Sequence, residues 1–580
     1  MTDWRAAYQR WLDKPDLDQD MKEQLHALAG QEDELEDCFH KYLEFGTGGI
    51  RGVLGPGTNR LNLYTIHRTA EGLARWIDDD GDAARDRGVA IAYDGRYRSR
   101  DFAFDVAMTL GYHGIRSYVF ASLRPTPELS FAVRHLHAAA GVMITASHNP
   151  PEYNGLKVYG PDGGQIISET ADAIVRKVNA VEDELAVQTV NKETLSDSGL
   201  LQMIDEDIDE AYLSQLQTVA ENPDVIQKAA TDLGIVYTPL HGAGLPLVKD
   251  SLQMMGFKHV YTVAEQAEPD PEFSTVASPN PEEHAAFELA IRDGDRYDAD
   301  ILIGTDPDAD RMGVAAKNRD GLYQVLTGDE VGALMLHYLL TQKRQKDELP
   351  ANAAVIKTIV TSELGRAIAS AHGIETIDTL TGFKYIAEQI ETFHETKSQQ
   401  FLLGYEESYG YLIHDFVRDK DAVQASMLIA EIAGYYKLQG MTLHEALMAL
   451  FAAYGYYQED LASLKMTGQT GSSRIDAIME TFRSHPPETV AGKRVLASED
   501  YQTNLRHDLL KGETARITLP KANVLKYKLD NDAWFCLRPS GTEPKIKFYF
   551  GVKETSLETS HDVLQQLKDD VLGMAKDASS

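Results

Sequence analysis

The chain has 580 residues, too many for one hydrophobic core and enough for about four domains. With 43% hydrophobic and 25% charged residues it has the composition of a folded globular protein, not a disordered or fibrous one, and no apolar run reaches the ~18 residues of a membrane span. A formal net charge of -34 repels phosphate backbones and anionic lipids, which argues against nucleic acid and membrane surfaces as partners.

The N-terminus MTDWRAAYQRWLDKPDL carries charges throughout and has no apolar h-region, so it does not read as a secretory signal. Trp4, Tyr8, Trp11 and Leu12 are spaced for one face of an amphipathic helix. From about residue 86 a strand–loop–helix pattern sets in: GVAIAY (88–93), the loop Asp94-Gly95-Arg96, then a helix from near Asp101. It recurs at AGVMIT (140–145), LGIVYT (233–238), ILIGT (301–305) and AAVIKTIV (353–360), the last before a helix opened by Thr361-Ser362-Glu363. Such alternation predicts α/β units with largely parallel sheets, whose ligand sites fall at the carboxyl ends of strands. The end of the chain differs. AWFCL (533–537) and the alternating KIKFYFG (545–551) predict an antiparallel sheet with a half-buried strand, followed by a helix from about Ser556. Acidic, weakly periodic stretches near 180–210 and 316–326, and the Gly/Ser-rich TGQTGSS (467–473), are candidate linkers. The expected domains are 1–205, 206–322 and 323–460, each α/β, and an α+β domain over 461–580. Only Cys38 and Cys536 are present, so no disulfide framework or CxxC metal site is available, which suits a reducing cytoplasm.

Four loops carry the chemistry. In TASHNPPEYNG (145–155), Ser147 follows a buried strand and is stiffened by Pro150-Pro151. A serine hydroxyl is a weak nucleophile and needs a base, a metal or positive surroundings; His148 adjoins it, and Lys157 and Arg51 of GTGGIRG (46–52) are possible sources of charge. A Ser-His hydrolase is a second reading, weakened because the turn is not G-x-S-x-G. In GTDPDADR (304–311), Asp306, Asp308 and Asp310 alternate after an apolar strand, an oxygen-only set suited to Mg²⁺ or Ca²⁺. Arg311 and Lys317 stand where an EF-hand requires Gly and Glu, so that motif is excluded. In LRPSGTEPK (537–545), Arg538, Ser540, Gly541, Thr542 and Lys545 suit a phosphate monoester. In GYEESYG (404–410), Glu406 and Ser408 could accept from and donate to adjacent sugar hydroxyls; this loop and TGFK (381–384), with Lys384, are weak signals alone.

In this order, TASHNP, DPDADR, EES and RPSGTEP resemble the α-D-phosphohexomutase superfamily, most closely its phosphoglucomutase branch, over nearly the whole chain. The resemblance implies three similar α/β domains and a C-terminal α+β domain in a heart shape around a central cleft. It implies that Ser147 is a phosphoserine, with Mg²⁺ held by its phosphate and by Asp306, Asp308 and Asp310, and that Arg311 supports it. Arg51 and Lys157 match residues of phosphoryl and proton transfer, with His148 in the same loop. Glu406 and Ser408 match the sugar loop and Lys384 its neighbour, and Arg538, Ser540, Gly541 and Thr542 match the site of the phosphate that is not transferred. The implied reaction interconverts glucose 1-phosphate and glucose 6-phosphate through glucose 1,6-bisphosphate, with small sugar phosphates as the partners. Phosphomannomutase-type and phosphoglucosamine-type members tend to carry Gly-His after the sugar-loop serine; Tyr409-Gly410 stands there here, which favours a gluco-type or pentose-type substrate and leaves the general base open. The rivals are a phosphopentomutase, another phosphosugar mutase, and a D-x-D phosphatase with Asp306 as nucleophile.

Overall fold

The computed structural model of the protein describes residues 3–46, 48–466, 471–540 and 545–579, and the backbone alone of Ser168. The chain divides into two compact units: residues 1–328, 383–404 and 408–443 form the first, and 329–382, 405–407 and 444–580 the second.

The first unit opens with the amphipathic helix Trp4–Leu12, in which Trp11 is buried and meets Phe39 and Tyr64 edge-on. Its first sheet holds β1 (Gly49–Val53), β2 (Val89–Tyr93), β3 (Ser117–Phe120), β4 (Ala140–Ile144), β5 (Tyr153–Tyr159) and β6 (Leu201–Ile204), ordered β1-β5-β4-β2-β3-β6. Every residue of β2 and β4 is buried, as expected of central strands covered on both faces. The covering helices include Leu63–Asp79, Ser99–Tyr112 and Thr126–His135. The sheet is mixed: β2 pairs in parallel with β3 and β4, but β5 runs antiparallel to both β1 and β4. The short connection after β4, residues 145–152, makes a reversal and not a crossover, and this carries Ser147.

The second sheet has β7 (Gly234–Thr238), β8 (His259–Thr262), β9 (Ile301–Thr305), β10 (Met312–Lys317) and β11 (Tyr323–Val325), ordered β11-β10-β9-β7-β8. Here too a parallel core, β7 with β8 and β9, is extended by an antiparallel strand, and the β9–β10 reversal is DPDADR. Two expected linkers are corrected. Residues 201–204 form the edge strand β6, paired with β3, and 316–326 fall largely in the β10–β11 hairpin. Polar, weakly periodic edge strands look like linkers because one of their faces is wet.

In the second unit, β12 (Ala353–Thr358) pairs in parallel with β13 (Glu375–Thr379). The chain then returns to the first unit, to which β14 (Gln400–Tyr405) belongs except for its last residue, as does β15 (Tyr411–Leu412). The C-terminal sheet is antiparallel: β16 (Tyr456–Lys465), β17 (Thr489–Val490), β18 (Lys493–Asp500), β19 (Leu505–Asp508), β20 (Glu513–Arg516), β21 (Leu525–Leu529), β22 (Trp534–Pro539) and β23 (Lys545–Glu554). The helices Gly471–Ser484 and Leu557–Ala578 contribute to its core; the latter starts where the sequence suggests and is capped by Ser556, whose side chain accepts from Thr559 N–H. Tyr549 departs from the expected alternation: it is buried, beside Arg538. Part of the expected linker TGQTGSS, residues 467–470, lies outside the described residues. No helix among the described residues is long and apolar enough to cross a membrane.

Candidate active site

Ser147 sits just past the end of β4 with φ at 51°, a left-handed conformation that non-glycine residues seldom adopt. Its backbone N–H donates to Thr145 Oγ1 at 2.8 Å. The turn is held from beneath by Arg96, whose buried guanidinium donates to the carbonyl oxygens of Ser147 (2.5 Å), Pro150 (2.8 Å) and Tyr153 (3.0 Å), and to that of Asn149. Asp94 lies 3.5 Å from Arg96 Nε, so the buried charge is countered.

The β9–β10 loop brings Asp306, Asp308 and Asp310 together, all buried, with one oxygen of each within 4.8 Å of the others. Ser147 Oγ donates to Asp306 Oδ2 at 2.5 Å, and Asp306 Oδ1 accepts from the backbone N–H groups of Asp310 (3.1 Å) and Arg311 (3.0 Å). Asp308 Oδ2 accepts from Thr126 Oγ1 (2.8 Å) and Lys157 Nζ (2.7 Å). Asp310 Oδ2 faces Lys157 Nζ at 3.1 Å and Lys420 Nζ at 2.8 Å. Asp308 Oδ1 and Asp310 Oδ1 are buried without a hydrogen-bond partner. Two orphaned carboxylate oxygens in an oxygen-only cluster fit a hard divalent cation such as Mg²⁺.

The charges respond to this crowding. Burial, and then repulsion from Asp310 and Asp308, pushes the Asp306 carboxyl well above the ordinary range. Burial also pushes Asp308 upward, but Lys157 outweighs it and holds the group below its usual value. For Lys157, burial pulls downward and the Asp308 and Asp310 carboxylates prevail, so its ammonium is held above the ordinary lysine value. His148 Nδ1 lies 3.1 Å from Ser147 Oγ; burial, followed by the Arg311 and Arg51 charges, holds that imidazole well below its usual value and therefore neutral at pH 7. Arg51 reaches across from β1 to donate to Asn149 Oδ1 at 2.9 Å, and Arg311 pairs with Glu282.

The first unit thus gathers Ser147, His148, Arg51, Lys157, the three aspartates and Arg311, as the sequence suggests. Lys384, in the first turn of the helix Phe383–Thr396, and half-buried Ser408 belong to the same unit. After Ser408 the loop turns at Tyr409 (φ 64°), whose carbonyl accepts from Met312 N–H at 3.0 Å, tying it to the residue that follows DPDADR. Glu406, Arg538 and Ser540 belong to the second unit. Glu406 is buried and its Oε1 accepts from Gly382 N–H at 2.9 Å. Ser540 N–H donates to Lys545 O at 2.7 Å; Gly541 and Thr542 lie outside the described residues. Sequence reasoning missed Lys420, Thr126 and Arg96. Lys420 sits in the charged run Arg418-Asp419-Lys420-Asp421 before an apolar helix, which is a readable signal; Thr126 and Arg96 act through folding alone.

The chain matches all four domains described for phosphoglucomutase/phosphomannomutase: α/β/α domain I over residues 42–185, domain II over 210–321, domain III over 327–454 and the C-terminal domain over 489–569. It is 40% identical over 529 residues to a phosphoglucomutase of Staphylococcus haemolyticus, covering 91% of this chain and 94% of that one. To that of Staphylococcus epidermidis it is 39% identical, covering 97% and 99%. Among solved structures it is similar to the phosphoglucomutase pp63/parafusin of Paramecium in an open form, with a TM-score of 0.68 and 17% identity over 93% of this chain and 94% of that one.

Proposed function

The chain belongs to the phosphoglucomutase/phosphomannomutase family, and on that premise we propose that it isomerises glucose 1-phosphate and glucose 6-phosphate with Ser147 as the phosphoryl carrier. The observation that carries the assignment of Ser147 is its hydroxyl, 2.5 Å from Asp306, on a turn beside a buried carboxylate triad with two orphaned oxygens.

In the forward direction the P–Oγ bond of phospho-Ser147 breaks as a bond forms from phosphorus to the 6-oxygen of glucose 1-phosphate, whose hydroxyl proton passes to a base, and Ser147 Oγ takes up a proton as it leaves. Glucose 1,6-bisphosphate then turns over. Its P–O1 bond breaks as P–Oγ re-forms, Ser147 Oγ gives its proton to a base, O1 takes up a proton, and glucose 6-phosphate leaves. Asp306, Asp308 and Asp310 would hold Mg²⁺, which supplies charge to offset the phosphoryl oxygens when bound. Lys157 and Arg311 add positive charge at the same place, while Arg51 fixes Asn149 and the turn. His148, neutral and 3.1 Å from Ser147 Oγ, would hydrogen-bond to that oxygen and orient it. Glu406 and Ser408 would bind sugar hydroxyls, and Lys384 would add a donor for the sugar. Arg538 and Ser540, with Gly541 and Thr542, would hold the idle phosphate. A phosphatase with Asp306 as nucleophile is disfavoured, since it leaves the TASHNP and RPSGTEP loops without a role.

The test is peptide mass spectrometry of the enzyme after incubation with glucose 1,6-bisphosphate, combined with assays on glucose, ribose and mannose 1-phosphates. Phosphate on Ser147, its absence from Ser147→Ala, and a fall in activity of about 10⁴-fold or more are expected. Near-full activity in Ser147→Ala with Mg²⁺ present would falsify the assignment. A clear preference for ribose 1-phosphate would make the protein a phosphopentomutase.

A further inference from the structure

Within the second unit a cavity of about 550 Å³ opens between the helix Leu364–Ala371 and the C-terminal sheet. That size lies within the range of about 300–1,000 Å³ common for small-molecule sites. Arg366, Arg506, Lys526, Lys528 and Lys553 line it, against the carboxylates of Glu363, Asp508 and Asp532. An excess of positive charge here stands out in a chain whose net charge is -34. At the rim, Arg506 and Lys528 share one carboxylate, Glu499 Oε1, at 3.3 and 3.6 Å, and both side chains remain accessible. Neither cation has Glu499 to itself, and Asp508 is the other carboxylate near Arg506 in the lining.

Lys526 is deeper. It is buried, 4.6 Å from the centroid of a Trp534 ring, and its Nζ donates to Ile359 O at 2.5 Å, with Glu363 Oε1 3.7 Å away. An ammonium has three donors, and a desolvated one gains from any further anionic partner. Ile359 belongs to the segment 358–363, and the same segment supports the loop bearing Glu406. Thr358 Oγ1 and Thr361 Oγ1 donate to Glu407 Oε2 at 3.1 and 3.3 Å, next in sequence to Glu406.

We propose that this cavity is a second anion site, regulatory in effect: it takes a metabolite bearing two or more negative charges on phosphate or carboxylate groups, and its occupancy reaches the Glu406 loop through Lys526 and residues 358–363. The binding half stands on the cavity alone. The transmission half rests on the reading of Glu406 as a sugar ligand.

Calorimetric titration of the full chain with ATP, inorganic pyrophosphate and citrate tests it, using wild type, R506E, K528E and R538A. At least one probe binds wild type, weakens by about tenfold or more in R506E and K528E, and still binds R538A, whose arginine lies in the proposed catalytic phosphate loop. Binding of the two phosphate compounds without citrate, or the reverse, identifies the anion class. R506E and K528E keep probe-free kcat/KM, because neither residue belongs to the catalytic machinery. With excess Mg²⁺, the bound probe shifts KM for glucose 1-phosphate by about twofold or more in wild type and not in R506E. Failure of all three probes to bind, or loss confined to R538A, overturns the site; binding with an unchanged KM overturns the transmission. An enzyme without mutase activity would refute the functional reading while leaving the calorimetry to decide the cavity.

Discussion

Arg96 spends its guanidinium on backbone, not on substrate: it donates to four carbonyl oxygens between Ser147 and Tyr153, the stretch that holds Ser147 at a left-handed φ. A lysine keeps the charge opposite Asp94 but cannot span four acceptors, because its donors radiate from one point and not from a planar fork. Arg96→Lys should therefore let the turn drift. Since a misplacement of about 1 Å can cost roughly 10²-fold, kcat should fall by about that factor while KM for glucose 1-phosphate stays within about twofold. Steady-state kinetics, alongside a thermal melt to show that the variant is folded, give the answer; an unchanged kcat in a folded variant means the turn is held without the arginine. This residue also marks where reading the sequence stops. Ser147 and the three aspartates were legible because nucleophile and metal chemistry require those residue types at those spacings. Arg96, some 50 residues before the turn it holds, carries no such requirement, and its role exists only once β2 and β4 lie side by side.

At the scale of elements, the buried strands were legible wherever both faces are covered: GVAIAY, AGVMIT, LGIVYT and ILIGT became β2, β4, β7 and β9 within a residue or so. Strand direction was not. Hydrophobicity does not distinguish a reversal after β4 or β9 from a crossover, and these two reversals hold Ser147 and DPDADR. The helices on those sheets are fixed by ion pairs that carry their own pH dependence. His113, the residue after the helix Ser99–Tyr112, places Nε2 2.7 Å from Glu71 and Nδ1 2.9 Å from Asp78, both on the helix Leu63–Asp79. Arg75 and Arg85 pair with the same two carboxylates. The hydrogen bond to Glu71 is the largest influence raising the imidazole above its ordinary 6.5, and burial opposes it. A raised folded value means that the stabilisation is complete below pH 6.5 and is lost as pH rises through the folded value. Glu71 and Asp78 are held below their ordinary 4.5 and 3.8, so their share is lost as pH falls through their folded values. The clamp is thus complete between about pH 4.5 and 6.5. His113→Gln should destabilise by about 2 kcal/mol at pH 6, and the deficit should shrink toward pH 9. Urea denaturation of both proteins at the two pH values measures this; a deficit that persists or widens at pH 9 refutes it.

The order of the four domains was legible at the scale of the molecule because each chemistry-bearing loop has its own signature. The division into two compact units was not, and it cuts through the third matched domain, 327–454. Part of the reason is the helix Ala422–Lys437, which packs on the helices Pro223–Ala229 and Leu245–Met254 of the first unit. Such packing depends on which apolar faces meet, and any amphipathic sequence leaves that open. The net charge of -34 is also a property of the whole molecule, and no single contact accounts for it. Ninety acidic side chains against 56 basic ones compress negative charge into a folded volume, so self-repulsion works against the compact state and weakens when salt screens it. The Debye length falls from about 20 Å near 0.02 M to about 4 Å near 0.5 M, which removes repulsion between distant surface carboxylates while sparing the buried Lys157 and Asp308 pair. Raising NaCl over that range should therefore increase Tm by a few degrees, most of it below about 0.2 M where screening changes fastest. A gain spread evenly up to molar salt would point to salt exclusion from apolar surface. A melting temperature that falls with salt would mean that attractive surface pairs, and not net repulsion, dominate the electrostatics of this acidic chain.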